Sequence, residues 1–296
     1  MLKQALSLVC SFTSLVFAGR PVQTLREFTG QVDYEENSSI TVGLTATGYG
    51  GIVLDMKNST DMVTNSGVSS TSGKLGGFKL TRNFDVIEIR TSTSGSLISL
   101  FSGSDPEPED SVIRLDSTTF DSLANCYSFS RSGNLRDYEF QVVTKDTTMS
   151  SDEDQLPHGD CFLKAMLVIF SFKDFSTGNS IPVDEETSFS LPDVSGDFEV
   201  KGNYVVVGSE FYEGRETVKI RFSGNGSSQK NIPDMFSDPM TFEVTIEGNL
   251  LYDPLIGLPL LYTLKSEITG AASSVEESVD YVYTGVLQNT LKGKLR

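Results

Sequence analysis

The chain has 296 residues, of which 38% are apolar, and its 40 acidic and 23 basic side chains give a formal net charge of −17. This length and apolar content are sufficient for one large domain or two ordinary ones. So negative a charge argues against nucleic acid or an anionic membrane surface as a partner, because both would repel the protein. Its one histidine, His158, excludes metal sites built from several histidines.

The first 18 residues have the pattern of a secretory signal peptide. Lys3 provides a positive start, Ala5 to Phe17 is largely apolar or small, and Val16-Phe17-Ala18 favours cleavage before Gly19. This stretch is shorter than the about 20 residues that a membrane-spanning helix needs, and we expect no membrane span elsewhere. The pattern predicts an exported soluble protein, periplasmic or extracellular. The alternative is a buried N-terminal helix.

Two cysteines remain if the signal peptide, with Cys10, is removed. Cys126 and Cys161 are an even pair in an oxidising compartment, which favours a disulfide bond between them. The alternative is a nucleophilic Cys161 assisted by His158, three residues earlier, but the sequence indicates no third residue to orient that pair.

Apolar and polar residues alternate with a period of two along much of the chain, as is typical of half-buried antiparallel strands. The alternation is clear in Ile40 to Thr47, in Thr241 to Glu247 and in Val279 to Tyr283. Clusters of Gly, Ser, Asn and Asp, including Asn65-Ser66-Gly67 and the glycine-rich run Gly73 to Gly77, predict turns between strands.

Two segments are predicted to form β-hairpins, because alternating runs flank residues that favour tight turns. The first hairpin consists of Tyr204–Gly208, a turn at Glu213-Gly214 and Thr217–Phe222, and the second of Thr241–Tyr252, a turn at Asp253–Gly257 and Leu260–Ile268.

One segment has helical rather than strand spacing. Apolar side chains recur at Phe162, Met166, Ile169 and Phe170, and Asp160 is a suitable N-cap, so we predict a helix from about 160 to 172. The same run could also form a buried strand. A shorter helix is predicted over residues 123–129, held to the first by the disulfide.

These elements predict a mainly β (α+β) fold, in which one curved antiparallel sheet or half-barrel carries a short helical insert. We expect residues 19–296 to form a single β domain with the helical, disulfide-bonded insert at about 116–172. The alternative is two β-domains that meet near residues 145–180.

Residues 162–264 resemble secreted bacterial half-barrel proteins of the lipoprotein-carrier (LolA-like) type. The resemblance rests on Ile181-Pro182-Val183, on the hairpin centred at Gly214, and on the run from Asp253 to Leu260, which has the form Asp-Pro-x-x-Gly-Leu-Pro-Leu. After Val183 the chain departs from the pattern, with Asp184-Glu185-Glu186-Thr187 in place of Gly-Asp and an aromatic residue. The resemblance implies a half-barrel that handles lipid, and it identifies no functional residue.

Few residues are arranged for catalysis or metal binding. Asp152-Glu153-Asp154 with Asp160 is an acidic cluster that could suit calcium, but it lacks the spacing of an EF-hand, and we interpret it as a solvated loop. Neither a nucleophile elbow nor a phosphate-binding loop is present. We therefore expect no enzyme activity, no cofactor and no metal.

Two functions fit this pattern. The first is a cell-envelope protein that binds a lipid-like or other apolar molecule on the concave face of the sheet, with the helix as a lid. The second is a non-catalytic structural module that binds another envelope protein. The candidate pocket residues of the first hypothesis share the apolar faces of the predicted strands and helix: Met166, Phe170, Val218, Ile220, Phe222, Phe242, Val244, Ile246, Leu264 and Tyr281.

Overall fold

The computed structural model describes residues 32–48, 51–72, 77–97, 109–130, 133–143, 148–151, 160–191, 194–230, 240–274 and 279–295. Within these ranges the chain forms thirteen strands and the helix α1 (Cys161–Ser171). The strands are β1 (Val32–Gly48), β2 (Gly51–Ser72), β3 (Phe78–Leu97), β4 (Glu109–Asp116), β5 (Ser122–Phe129), β6 (Leu135–Val143), β7 (Thr148–Ser151), β8 (Ser180–Leu191), β9 (Val194–Tyr212), β10 (Arg215–Lys230), β11 (Met240–Asp253), β12 (Leu258–Ser274) and β13 (Val279–Leu295). The predicted signal peptide, His158 and the acidic run Asp152-Glu153-Asp154 lie outside the described residues.

All thirteen strands belong to one antiparallel sheet, in the order β7-β6-β5-β3-β2-β1-β13-β12-β11-β10-β9-β8, with β4 paired to β3 alongside β5. The two halves of the chain are joined where β1 pairs with β13, from Val32↔Leu295 to Gly48↔Val279. The sheet is curved, and among the described strands it is not closed. The predicted fold class is therefore confirmed.

Helix α1 lies in the concave face of this sheet, which we call the trough. It connects β7 to β8, which lie at the two ends of the strand order, and it packs against β12 and β13 near the middle. Eight of its 11 residues are buried, and the other three, Lys164, Leu167 and Ser171, fall within a stripe about 60° wide at 3.6 residues per turn. The rest of the helix circumference is buried, and this requires that the sheet curve around the helix as a concave surface. The helix predicted over residues 160–172 is confirmed.

Both predicted hairpins are also confirmed. Strands β9 and β10 are joined by Glu213 and Gly214, whose φ angles of 50° and 76° fit a tight turn that glycine favours. Strands β11 and β12 are joined at Asp253, whose carbonyl oxygen accepts a hydrogen bond from Gly257 N at 2.9 Å. The side chain of the same aspartate accepts one from Leu255 N at 2.8 Å.

Two predictions of local structure are wrong. Residues 123–129 are not helical but belong to strand β5, which pairs on both sides, with β3 and β6. Within the predicted insert at 116–172, this strand, β6 and β7 belong to the sheet, and α1 is the helical part. Asn65-Ser66-Gly67 does not form a turn, because β2 continues through it with a register shift between Asn65 and Ser66.

The predicted disulfide is also corrected by the structure: Cys126 and Cys161, both among the described residues, are not joined to each other. Successive side chains of a strand point to opposite faces. Asn125 and Tyr127 both reach Asp160, next to Cys161, on the concave face. Cys126 lies between them and points to the other face, where its Sγ is 3.9 Å from Thr81 Oγ1.

Candidate functional site

The N-terminus of helix α1 is anchored by a buried carboxylate. Asp160 Oδ1 accepts hydrogen bonds from Leu163 N at 3.0 Å, which caps the helix, and from Arg82 Nη1 at 3.2 Å. Its Oδ2 accepts hydrogen bonds from Asn125 Nδ2 at 3.1 Å and from Tyr127 Oη. Asp160, which the sequence grouped with a possible calcium cluster, therefore caps the helix and holds it to strands β3 and β5.

Arg82 is the centre of this network and is 1% exposed. Its Nη2 lies 2.7 Å from Glu36 Oε2 and 3.4 Å from Thr64 Oγ1, and its Nε donates to Ser66 Oγ at 2.8 Å. The Phe84 ring centroid lies 4.7 Å from the guanidinium carbon, a cation–π distance. The buried cation thus has partners from strands β1 and β2 as well as from the helix cap.

The network combines one buried basic side chain, Arg82, with two acidic side chains, Glu36 and Asp160. Burial by itself lowers the pKa of Arg82, but the carboxylates of Glu36 and Asp160 outweigh it and raise that pKa above its ordinary value, so the guanidinium stays charged. Burial, and then the proximity of Asp160, raise the pKa of Tyr127, so its phenol stays protonated and donates to the carboxylate. With two carboxylates around one guanidinium, the network has no spare positive charge for an anionic ligand.

Helix α1 covers one end of the trough. At its first turn the Phe162 ring lies 5.2 Å from that of Tyr34 in β1, and at its last turn the Phe170 ring lies 5.8 Å from that of Phe78. Phe78 pairs with Ser72 of β2. Ser72 lies past Val68, the residue of β2 that pairs with Val32 at the start of β1. The helix therefore runs away from the second half of β1, from residue 38 onward.

Beyond the N-terminus of the helix, apolar side chains line the trough without being fully covered. Strand alternation places them on the same face as the buried Tyr34 and Glu36, and cross-strand pairing makes them neighbours. Leu287 is buried and the others are half-buried. We call this surface the trough floor, and it consists of Ile40, Val42 and Leu44 of β1, Met62 of β2, Ile268 of β12 and Leu287 of β13.

Two polar atoms on the same face have no hydrogen-bond partner. Among the described residues, Ser266 Oγ and Asn58 Oδ1 are buried side-chain atoms without one. Ser266 is 1% exposed and lies in β12 between Ile246 and Leu287 of the neighbouring strands. Asn58 lies in β2, opposite Val42.

The ten predicted pocket residues all belong to, or pack against, one apolar cluster in the trough. Five of them lie where helix α1 packs on the sheet or directly beside it. Met166 and Phe170 belong to the helix itself, and the other three are Ile220, Phe222 and Leu264. Val218 is half-buried at the helix end of β10. Ile246, Val244 and Phe242 occupy the same cross-strand rows as the trough floor and form its wall towards β11. Tyr281 of β13 lies one row further along, opposite Ala46 and Ala272. The structure therefore brings the predicted residues together, and most of them pack in a closed core.

Sequence reasoning missed Arg82, Glu36, Ser266 and Asn58. A signal for two of them was present, because Arg82 lies between Leu80 and Phe84, and Ser266 between Leu264 and Ile268, at the inward positions of alternating strands. A polar residue at such a position must find a partner or remain unsatisfied.

The described residues contain no group of three His, Cys, Asp or Glu side chains placed to hold a metal ion. In the same residues no helix has the length and apolar character needed to cross a membrane.

The site thus belongs to an open, curved antiparallel sheet with a helix in its concave face. No protein-family model and no curated protein sequence matches the chain, so the resemblance to lipoprotein carriers stays a prediction. A solved structure described as "lipid-protein interactions in lipovitellin" is similar over 91% of this chain, with 10% sequence identity and a TM-score of 0.42. The match covers 25% of that longer chain.

Proposed function

We propose that this protein is an exported, non-catalytic binding protein that holds a lipid-like or other apolar molecule on the trough floor. The observation that carries the proposal is the row of half-buried apolar side chains on the concave face, beyond the end of helix α1. Side chains that face into a concavity and keep part of their surface accessible are the usual lining of apolar ligand sites.

The dimensions of the trough floor suit a small apolar molecule. It spans β12, β13, β1 and β2, and three strand spacings correspond to about 14 Å. Along β1 it runs from Ile40 to Leu44, about 13 Å at the usual rise per residue. Its wall is closely packed, because Phe242 and Val244 are at most 1% exposed.

Export is proposed on the N-terminal pattern, in which Lys3 precedes an apolar stretch that ends at Ala18. The net charge of −17 supports a protein that stays soluble and avoids anionic surfaces. A periplasmic or extracellular protein of this kind would meet apolar molecules released from membranes.

The test is binding of the uncharged dye Nile red to protein purified without detergent, together with native mass spectrometry for bound apolar molecules. Val42→Glu places a charge on the trough floor and should abolish dye binding. Val282→Glu is the matched control, because Val282 lies on the adjacent strand β13, is 46% exposed and points to the opposite face. Equal binding by both variants, or no binding by the unaltered protein, would rule out this site.

A second candidate function, binding of another envelope protein, is favoured by two exposed apolar side chains. Phe211 and Leu255 are 76% and 75% exposed and lie at the same end of the sheet, beside the turns of the two confirmed hairpins. Arg215 Nε donates to Asp253 Oδ2, which ties these turns together. If this end of the sheet binds a defined envelope protein, pull-down will recover that protein with the unaltered chain but not with Phe211→Ser combined with Leu255→Ser.

A further inference from the structure

We propose that the ligand of the trough floor is an uncharged amphiphile, and that Ser266 Oγ binds a hydroxyl or carbonyl oxygen of that ligand. This inference rests on the proposed function and adds the chemical class of the ligand and the residue that selects it. The argument combines the unpartnered hydroxyl of Ser266, the open strip beside it, and the charges of the trough.

Ser266 is buried where an apolar side chain would be expected. Along β12 the inward positions on either side are Leu264 and Ile268, and the cross-strand neighbours are Ile246 and Leu287. Its hydroxyl has no partner among the described residues, although almost all buried polar groups in proteins have one. Alanine would avoid this cost, so an oxygen atom at this point is better explained by a ligand than by the fold.

The surface next to Ser266 leaves space for a ligand. Gly285 of β13 is opposite Ile268 on one side and Val42 on the other. A Cβ atom added to Gly285 would make an ordinary contact with the Ile268 side chain, 3.4 Å from its Cβ, so the glycine leaves a shallow strip between Ile268 and Val42 that is about one methyl group deep. The strip leads towards Asn58 Oδ1, the second unpartnered atom, on the far side of β1.

Ser266 and Asn58 complement the polar groups of an alcohol or an ester. A serine hydroxyl can donate to a ligand oxygen and can accept from a ligand hydroxyl, whereas the amide oxygen of Asn58 only accepts. The two residues are separated by three strand spacings, about 14 Å, so an extended ligand with its polar end at Ser266 would cover the apolar floor between them.

The charges exclude an anionic head group. None of the described inward-facing residues of the trough floor is charged, and the buried cation Arg82 lies beyond its end, at the helix cap. Glu36 and Asp160 already neutralise it, and together they exceed its charge. A carboxylate or phosphate on the trough floor would lose its hydration without gaining a cation, so an uncharged ligand is favoured.

The test compares three probes with chains of equal length: oleyl alcohol, oleate and 1-octadecene. Each probe displaces Nile red from the full-length protein, from Ser266→Ala and from the control Ser223→Ala, which changes an exposed serine on the opposite face of β10. We expect oleyl alcohol to bind the unaltered protein most tightly. Ser266→Ala should weaken oleyl alcohol about five- to tenfold, as for the loss of one hydrogen bond, and should leave 1-octadecene unchanged.

A second readout separates ligand binding from a structural role. Because Ser266 Oγ has no partner among the residues that the structure describes, Ser266→Ala should not lower the melting temperature of the ligand-free protein. A lower melting temperature, or equal affinities for oleyl alcohol and 1-octadecene, would overturn the inference while leaving apolar binding intact. Tightest binding of oleate would overturn it too. Absence of Nile red binding would instead refute the proposed function.

Discussion

Arg82 and Asp160, separated by 78 positions, form a buried ion pair with 3.2 Å between Nη1 and Oδ1. The same Oδ1 accepts the capping hydrogen bond from Leu163 N, so one carboxylate both starts helix α1 and holds it to strand β3. The end of the helix, and therefore the beginning of the trough floor, is determined by this contact.

Replacing Arg82 should destabilise the fold strongly. Arg82→Met would leave Glu36 and Asp160 buried without their cation, at a cost of about 3–5 kcal/mol in the free energy of unfolding. Arg90→Met is the control, because the Arg90 side chain is 67% exposed in its pair with Glu88 and should change stability by about 0.5 kcal/mol or less. Urea unfolding measures both, and equal losses would contradict a structural role specific to Arg82.

Stability should fall at alkaline pH because buried tyrosines must ionise on unfolding. Burial raises the pKa of Tyr127, and burial together with Asp253 raises the pKa of Tyr252 to about 12, from an ordinary value of 10.0. The protonated phenols therefore contribute stability that is fully present below pH 10 and is lost as the pH rises through the folded-state values.

Urea unfolding between neutral pH and pH 12, followed by tyrosinate absorbance, checks this dependence. Tyr127→Phe should reduce the alkaline slope and, by removing a donor to Asp160, should cost about 1–3 kcal/mol at neutral pH. Tyr212→Phe, at a less buried tyrosine, should alter the slope less. Identical slopes for both variants would contradict the assignment.

Gly270 should not tolerate a side chain, because the ring of Phe242 lies against its backbone. A Cβ atom there would come within 2.4 Å of Phe242 Cδ1, and moving the ring would cost about 1–3 kcal/mol in Gly270→Ala. Gly285→Ala is the control, since its nearest contact is an ordinary 3.4 Å. Thermal unfolding distinguishes the two variants, and an equal effect would mean that Phe242 moves freely.

The two described cysteines should be reduced thiols that react only after unfolding. Cys126 is 6% and Cys161 is 1% exposed, and they lie on opposite faces of strand β5. Alkylation of the native protein should label neither residue, and alkylation in denaturant without reductant should label both. A peptide that contains the two linked cysteines would contradict this arrangement.

Much of the fold could be predicted where the deciding interactions are local. Asp160 marked the start of helix α1 because an N-cap acts within one turn, and Gly214 and Gly257 marked hairpin turns because their positive φ angles suit glycine. Strand alternation likewise assigned Val244 and Ile246 to the buried face.

The wrong predictions concern segments whose structure depends on distant partners. Leu123 to Phe129 has buried residues on both faces, so its pattern is not that of an alternating strand, and only pairing with β3 and β6 makes it one. The disulfide was predicted from an even number of cysteines, but strand alternation directs Cys126 away from Cys161. Asn65-Ser66-Gly67 has turn residues that a β-bulge accommodates.

The sequence by itself determined that this protein is built mainly from antiparallel strands and that a short helix begins near Asp160, because side-chain periodicity, turn chemistry and helix capping are local properties. Only the tertiary structure decided that β1 pairs with β13, that Arg82 meets Asp160, and that the Ser266 hydroxyl, beside the trough floor, has no partner in the described part of the chain. These relationships depend on the register between strands far apart in the chain. That register results from the combined burial of many side chains and cannot be read from any single segment.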